Sequence, residues 1–404
     1  MKTVLVWSIL LAISHGYLAA DWGPGSEVTW IGLGEKTPLK VFVPEDYAAE
    51  RAWPLIYIFH GTGGRASTSM MQRYTKRRGF VLVGAPFAIP GEGSLSRQGV
   101  LGEMRRIGQM RTLLGQSLSL DQRTYVGGFS KGGWMSDLLA TEGFPTLTGA
   151  LILGAGRIPE DVGRVLDREK KQPSAVNPIY IYIGIGQLDT NHLYSRRAAA
   201  HYRERKHPVV FEEYLAKGHR PGAPDAIYLS QWLHLQIANK ATISTEAHTW
   251  WETMLNRAES ITPPIERVLF LETMHAAPFA ALVAPEKRTE LAKKLERVKR
   301  HRMLITEMEA RRAYQNAQTE EEAFRRSKKL PKVAASFARV HERFPKTFFG
   351  QRAGLDLIRV SKNYRTLQRS VGEAKAAEFP LPKNQEALEE RFAQFDRKLR
   401  QEGR

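Results

Sequence analysis

The sequence predicts an α/β domain built on a mainly parallel sheet flanked by helices, followed by an all-α C-terminal region. Three observations carry this. Between Thr37 and about Lys240, short apolar runs rich in β-branched and aromatic residues alternate with longer segments of helical spacing, punctuated by Gly and Pro. Beyond Lys240 no run has strand character, and apolar residues recur at helical spacing instead. The formal net charge of +18 is also unevenly divided: residues 286–404 hold 30 Lys and Arg against 17 Asp and Glu, so most of the excess lies there.

At 404 residues, with 42% apolar and 25% charged residues, the chain has the composition of a folded protein of two or three domains, which excludes wholesale disorder. Its first twenty residues have the form of a secretory signal peptide: Lys2 gives a positive start, Val4 to Ile13 an apolar run, and Leu18-Ala19-Ala20 a small-residue cleavage site. The run is shorter than the roughly 20 residues that span a bilayer, so cleavage and a secreted or periplasmic destination are expected. The chain has no cysteine, which excludes disulfides, thiolate metal ligands and a lipoprotein anchor. The expected organisation is a signal peptide at 1–20, a catalytic domain at 21–240 and a basic helical region at 241–404.

Seven strands are expected in chain order: Leu39–Val43, Leu55–Phe59, Phe80–Ala85, Thr124–Gly127, Ala150–Leu153, Ile179–Gly184 and Val209–Leu215. Several are apolar at nearly every position, as strands covered on both faces must be. The second ends in His60-Gly61-Thr62-Gly63-Gly64, a loop whose glycines let backbone N–H groups approach a reacting carbonyl. His60 precedes any nucleophile in the chain and is expected to stabilise this loop.

The fourth strand runs into Gly127-Gly128-Phe129-Ser130-Lys131-Gly132-Gly133-Trp134 and then a helix. A serine at the tip of so tight a strand-to-helix turn needs small residues two places before and after it, and Gly128 and Gly132 fill them. Ser130 is therefore the candidate nucleophile. The N–H of Lys131, at the start of the following helix, is a candidate oxyanion donor, with Thr62 or Gly63 supplying the second.

A serine hydroxyl needs a base, and the base a carboxylate to fix its tautomer. Asp189 lies in the loop after Ile179–Gly184, and His219 in the loop after Val209–Leu215. Both loops are at strand C-terminal ends, where the binding crevice of a parallel sheet forms. His192, His201, His207 and His234 are expected at the rim, in structural roles or in solvent, and Asp167 and Asp225 are poorer acids. Trp134 is expected in the core.

These residues, in this order, resemble the α/β-hydrolase superfamily, and within it the small serine esterases of the carboxylesterase/acyl-thioesterase and polyhydroxybutyrate-depolymerase-like groups. The resemblance covers Asp21 to about Lys240. It implies ester hydrolysis through an acyl-enzyme, a Ser130-Asp189-His219 triad, and no metal or organic cofactor. Lys131 stands where these esterases more often carry Gln, Ala or Asn; its side chain either points to solvent or attracts an anionic substrate.

The connections 154–178 and 86–101 are modest, so an open site is expected, suited to short-chain, aryl or polymer-linked esters. The motif leaves open a peptidase or acyltransferase on the same fold, and a catalytically silent binding scaffold. In the helical region, Leu291, Leu295 and Val298 form one apolar stripe and Phe337, Val340 and Phe344 another. Residues near 334–358 resemble a degenerate helix-turn-helix unit of the tetratricopeptide class. Glu mixed with Lys on helical faces points to a solvated surface and away from nucleic acid, leaving an envelope component or a protein as possible partner.

Overall fold

The computed structural model describes residues 22–30, 38–142, 147–157, 178–223, 226–262, 264–323, 330–370, 382 and 384–401. The signal peptide expected at 1–20, and Asp167 and Asp225, lie outside the described residues. Eight strands, β1 (Glu27–Trp30), β2 (Leu39–Phe42), β3 (Trp53–Phe59), β4 (Val81–Ala85), β5 (Leu120–Phe129), β6 (Leu147–Leu153), β7 (Tyr180–Gly186) and β8 (Val209–Tyr214), follow the order β1-β2-β4-β3-β5-β6-β7-β8. The first two pairings are antiparallel, while β3 pairs in parallel with β4 and β5, and β5 with β6. This is the predicted fold class, a mainly parallel sheet flanked by helices and followed by an all-α region.

The described residues divide into two compact units, those up to Leu153 together with 178–181, and Gly154–Arg157 together with those from Tyr182 onward. In the first unit every residue of β3 and β4 is buried, which explains their unbroken apolar character. Ile56 and Tyr57 of β3 sit beside Leu82 and Val83 of β4 on one side and Tyr125 and Val126 of β5 on the other. Helices α1 (Ser69–Tyr74), α2 (Arg97–Leu114) and α3 (Lys131–Glu142) belong to this unit.

Strand β1 was not among the expected strands. Its residues Glu-Val-Thr-Trp are only exposed or half-buried, and it pairs on one side alone, with β2. An edge strand so placed needs no continuous apolar run, so no such run marks it.

The second unit joins β7 and β8 to the helices α4 (His192–Glu204), α5 (Ile227–Ile237), α6 (Ile243–Ser260), α7 (Pro264–Ala276), α8 (Pro285–Lys299), α9 (Ile305–Glu322), α10 (Leu330–Arg343), α11 (Phe348–Ser370) and α12 (Gln385–Gln401). One continuous apolar core runs from Leu188 and Leu215 through Trp251 and Phe270 to Phe337, Phe348 and Phe395. The Phe348 ring lies 4.8 Å from that of Phe392 and 5.2 Å from that of Phe395, which pins α12 to α11. Fully burying each such side chain contributes about 1.5–3 kcal/mol.

Part of the region's basic charge is internal. Arg359 is buried, with its guanidinium on both carboxylate oxygens of Glu321 at 2.7 and 2.9 Å and on Asp356 at 3.1 Å; Arg196 of α4 reaches Glu321 at 2.7 Å. Burial pushes the Glu321 carboxyl up, but Arg359 and Arg196 more than offset this and hold it down at about 2. Replacing one partner of such a cluster strands the other charge in the core. Arg359→Met is accordingly expected to cost about 3–5 kcal/mol, seen as a lower urea midpoint; an unchanged midpoint would show that Glu321 does not depend on it.

Candidate active site

In the first unit, Ser130 stands between the last residue of β5 and the first of α3 with φ +57°, a left-handed conformation that costs a non-glycine residue of order 1–3 kcal/mol. The turn is held by the Ser130 N–H donating to the Leu153 carbonyl at 2.9 Å and the Trp134 N–H to the Ser130 carbonyl at 3.0 Å. It is also the point of closest approach of strand and helix. A Cβ on Gly128 would lie 2.6 Å from the backbone of Gly132 and 2.6 Å from the Phe59 carbonyl oxygen, and one on Gly132 would strike the same oxygen. Both glycines are therefore sterically required, as their spacing predicts.

Ser130 opens into a cleft of about 1280 Å³, whose lining includes Thr62, Gly63, Phe87, Arg105, Arg106, Lys131 and Trp134. The candidate oxyanion donors Lys131, Thr62 and Gly63 thus share one cleft with the candidate nucleophile. Lys131 is the first residue of α3, where a helix leaves its N–H groups without intrahelical acceptors. The glycine loop turns on a bond from the Gly64 N–H to the Gly61 carbonyl at 3.0 Å, and His60 Nδ1 donates to that carbonyl at 2.7 Å, the loop-stabilising role expected of it. Trp134 differs from expectation. It is only half-buried and lines the cleft, one helical turn beyond Ser130, because the face of α3 next to the elbow looks into the opening.

The part of the lining contributed by Pro86, Phe87 and Ala88 is fixed by a buried charge. Glu103 of α2 accepts from the Ala88 N–H at 2.5 Å and from Arg106 at 2.9 Å, and Arg106 donates in turn to the Pro86 carbonyl. The segment after β4 is thereby tied to α2.

In the second unit, Asp189 is fully buried and accepts two hydrogen bonds: its Oδ1 from the Asn191 N–H at 2.8 Å, its Oδ2 from His219 Nδ1 at 2.8 Å. His219 leaves 40% of its side chain exposed. The bond from Asp189 raises the His219 imidazole above its ordinary value; burial lowers it by less, and the Asp189 charge adds to the rise. The two loops are stitched together by the Leu188 N–H to the Lys217 carbonyl at 2.8 Å and the Gln187 N–H to the Tyr214 carbonyl at 2.8 Å. Gly186 permits this contact, since a Cβ there would lie 2.5 Å from the Gly218 carbonyl oxygen.

His192 is not at the rim. It is fully buried, its N–H donates to the Asp189 carbonyl at 3.0 Å, and its Nε2 contacts Glu213 at 2.6 Å. Burial pushes Glu213 up, but Arg352 and then His192 hold it well below the usual carboxylate range. Arg352 comes from α11 and also donates to Tyr314 of α9 at 3.0 Å. On the neighbouring residues, Asp396 of α12 accepts from the Leu215 N–H at 3.0 Å and Arg400 pairs with Glu212. The C-terminal helices thus grip β8, the strand that leads into the loop carrying His219. The sequence showed none of these partners, since Glu213 and Arg352 lie 139 positions apart.

The other histidines are structural or paired. His201 contacts Arg157 at 3.0 Å and Arg205 at 2.8 Å and is pushed down to about 3, by burial first and then by Arg157; His234 pairs with Glu246 at 2.7 Å. Among the described residues no group of three or more His, Asp or Glu could hold a metal ion, and no helix is long and apolar enough to cross a membrane.

No protein-family model matches the chain, and no curated protein matches it. Solved structures similar to it include a thermostable esterase (21% identity, TM-score 0.33), over 47% of this chain and 54% of that one. The match therefore spans about half the length of that esterase. An S-formylglutathione hydrolase from Staphylococcus aureus (14% identity, TM-score 0.34) is matched over 52% of this chain and 94% of that one, and an arylesterase (12% identity, TM-score 0.39) over 56% and 91%.

The raised His219 imidazole depends on Asp189, which gives a direct test. In NMR titration, wild-type His219 is expected to titrate above the ordinary histidine value of about 6.5. In Asp189→Asn it should titrate lower, since the charge and the strong acceptor are both removed. A His219 value unmoved by that substitution would show that the pair is not formed.

Proposed function

We propose that this protein is an exported serine hydrolase that cleaves carboxylic esters through an acyl-enzyme, with Ser130 as nucleophile, His219 as general base and acid, and Asp189 as its orienting carboxylate. The observation that carries the reading is the strained elbow: a serine at positive φ, between glycines that tolerate no Cβ, at the floor of a cleft. Strain of this kind is retained where a side chain must be presented to a reactant. The export component rests on the leader read in residues 1–20.

In this mechanism neutral His219 takes the Ser130 hydroxyl proton on Nε2, the nitrogen other than the one bound to Asp189, as Oγ attacks the ester carbonyl carbon. The tetrahedral oxyanion is received by the N–H of Lys131 and that of Thr62 or Gly63. Collapse breaks the ester C–O bond, and His219 passes its proton to the departing alkoxide. Water, deprotonated by His219, then attacks the acyl carbon; release of the acid returns the proton to Ser130. Asp189 stabilises the imidazolium formed in each half-reaction without itself being protonated.

The sign of the pH dependence follows. Only neutral His219 can act as base, so kcat/KM is expected to rise with pH through the His219 titration, with its midpoint above about 6.5. The test is a panel of p-nitrophenyl esters of varied chain length and aminoacyl p-nitroanilides, run with Ser130→Ala and with a fluorophosphonate probe. Expected are ester turnover, labelling of wild type alone, and a loss of at least about 10³-fold in Ser130→Ala. Preference for the anilides would identify a peptidase. Folded protein that neither turns over esters nor takes the label would leave a binding scaffold.

A further inference from the structure

The charge of the cleft has no part in the mechanism above. Among its described lining residues are three cationic side chains, Arg105, Arg106 and Lys131, and no acidic one. Their situations differ. Arg106 is buried and its charge is answered by Glu103, so it serves the fold. Arg105, the residue before it on α2, is exposed, and no carboxylate partners it among the described residues. Lys131 is held in place without being neutralised: its Nζ donates to the Gly91 carbonyl at 2.5 Å and stands 4.9 Å from the centre of the Phe87 ring. An ammonium carries three N–H donors, and a neutral carbonyl and a ring face leave its positive charge intact.

From this we infer that the cleft takes esters bearing an anionic group, a carboxylate or a phosphate, which Arg105 and Lys131 recognise while Phe87 and Trp134 supply the apolar surface. The inference rests on the proposed function and names its substrate class. Two like charges on the wall of a cleft concentrate the field there, and a positioned cation costs little further ordering when an anion arrives. A guanidinium adds the fork geometry that receives a carboxylate or phosphate through two parallel bonds. Lys131 also explains why a cation can follow the nucleophile directly. In the proposed mechanism its backbone N–H serves the oxyanion, while its side chain folds onto Phe87 and Gly91.

The experiment compares kcat/KM for ester pairs similar in size that share the half of the ester not bearing the charge. Mono-4-nitrophenyl succinate against 4-nitrophenyl butyrate places the charge on the acyl side; 4-acetoxybenzoate against 4-acetoxytoluene places it on the alcohol side. A 4-nitrophenyl ester of a phosphono acid, set beside the succinate, distinguishes phosphate-like from carboxylate charge. For at least one pair the wild-type preference for the anionic ester, after correction for the intrinsic reactivity of each ester with hydroxide, is expected to be about tenfold. It should fall toward unity in 0.5 M NaCl, and in both Arg105→Gln and Lys131→Met, because the charges are exposed to screening. The readout is the ratio, so a variant that lowers both activities equally counts against the inference. A wild-type ratio near unity in both pairs, with the neutral esters hydrolysed, overturns the inference and leaves the esterase reading standing. Folded protein that hydrolyses none of these esters overturns both.

Discussion

Everything in the first unit that bears on chemistry depends on one steric constraint, the near contact of β5 and α3 at the Phe59 carbonyl. The strand must end and the helix begin within three residues. Only glycine at 128 and 132 allows their backbones to come so close, and the serine between them is left at positive φ with its side chain at the cleft floor. The arrangement also places Lys131, the first residue of α3, on the same cleft. A helix start in this position carries partial positive charge, the complement a developing oxyanion needs. The positions of the candidate nucleophile and of the candidate oxyanion donor are thus two consequences of one packing contact.

The second unit meets a different demand, holding a carboxylate buried and a histidine exposed at a fixed distance. Asp189 stays in the core because two donors satisfy it, and the two loops are bonded to each other through their backbones. The C-terminal helices contribute to this framework and are not an appendage to it. Arg352 reaches Glu213, Arg400 reaches Glu212, and Asp396 accepts from the Leu215 N–H, so three residues from helices late in the chain hold the strand that leads into the His219 loop. Basic character there is partly the counter-charge of the buried carboxylates on β8 and α9.

Legibility in the sequence followed the range of each signal. The buried strands were readable because being covered on both faces forces an apolar residue at nearly every position. The elbow was readable because its steric rule acts within five residues. Asp189 and His219 could be named from their place after strands, a rule of topology. Strand β1 was hidden because an edge carries no such pressure. The burial of His192 was hidden because its partner Glu213 lies in another element, and Glu213 is itself compensated by Arg352 far along the chain. Pairwise compensation of this kind leaves no local pattern, and it is why arginines that look like a solvated surface lie inside. The exposure of Trp134 was hidden for a related reason: helical spacing tells which residues share a face, but not that this face borders a cleft.

The chemical account is one of covalent catalysis at Ser130, and its most direct measurement is the intermediate itself. Rapid mixing with a 4-nitrophenyl ester should release a burst of 4-nitrophenol approaching one equivalent per chain. Protein quenched in acid during the burst should gain the mass of the acyl group, on the tryptic peptide that contains Ser130. Turnover with neither burst nor adduct fits this account only if deacylation outpaces acylation, in which case a slow-deacylating carbamate ester would form a stable adduct. A folded protein that forms no adduct on Ser130 with either reagent would contradict the account.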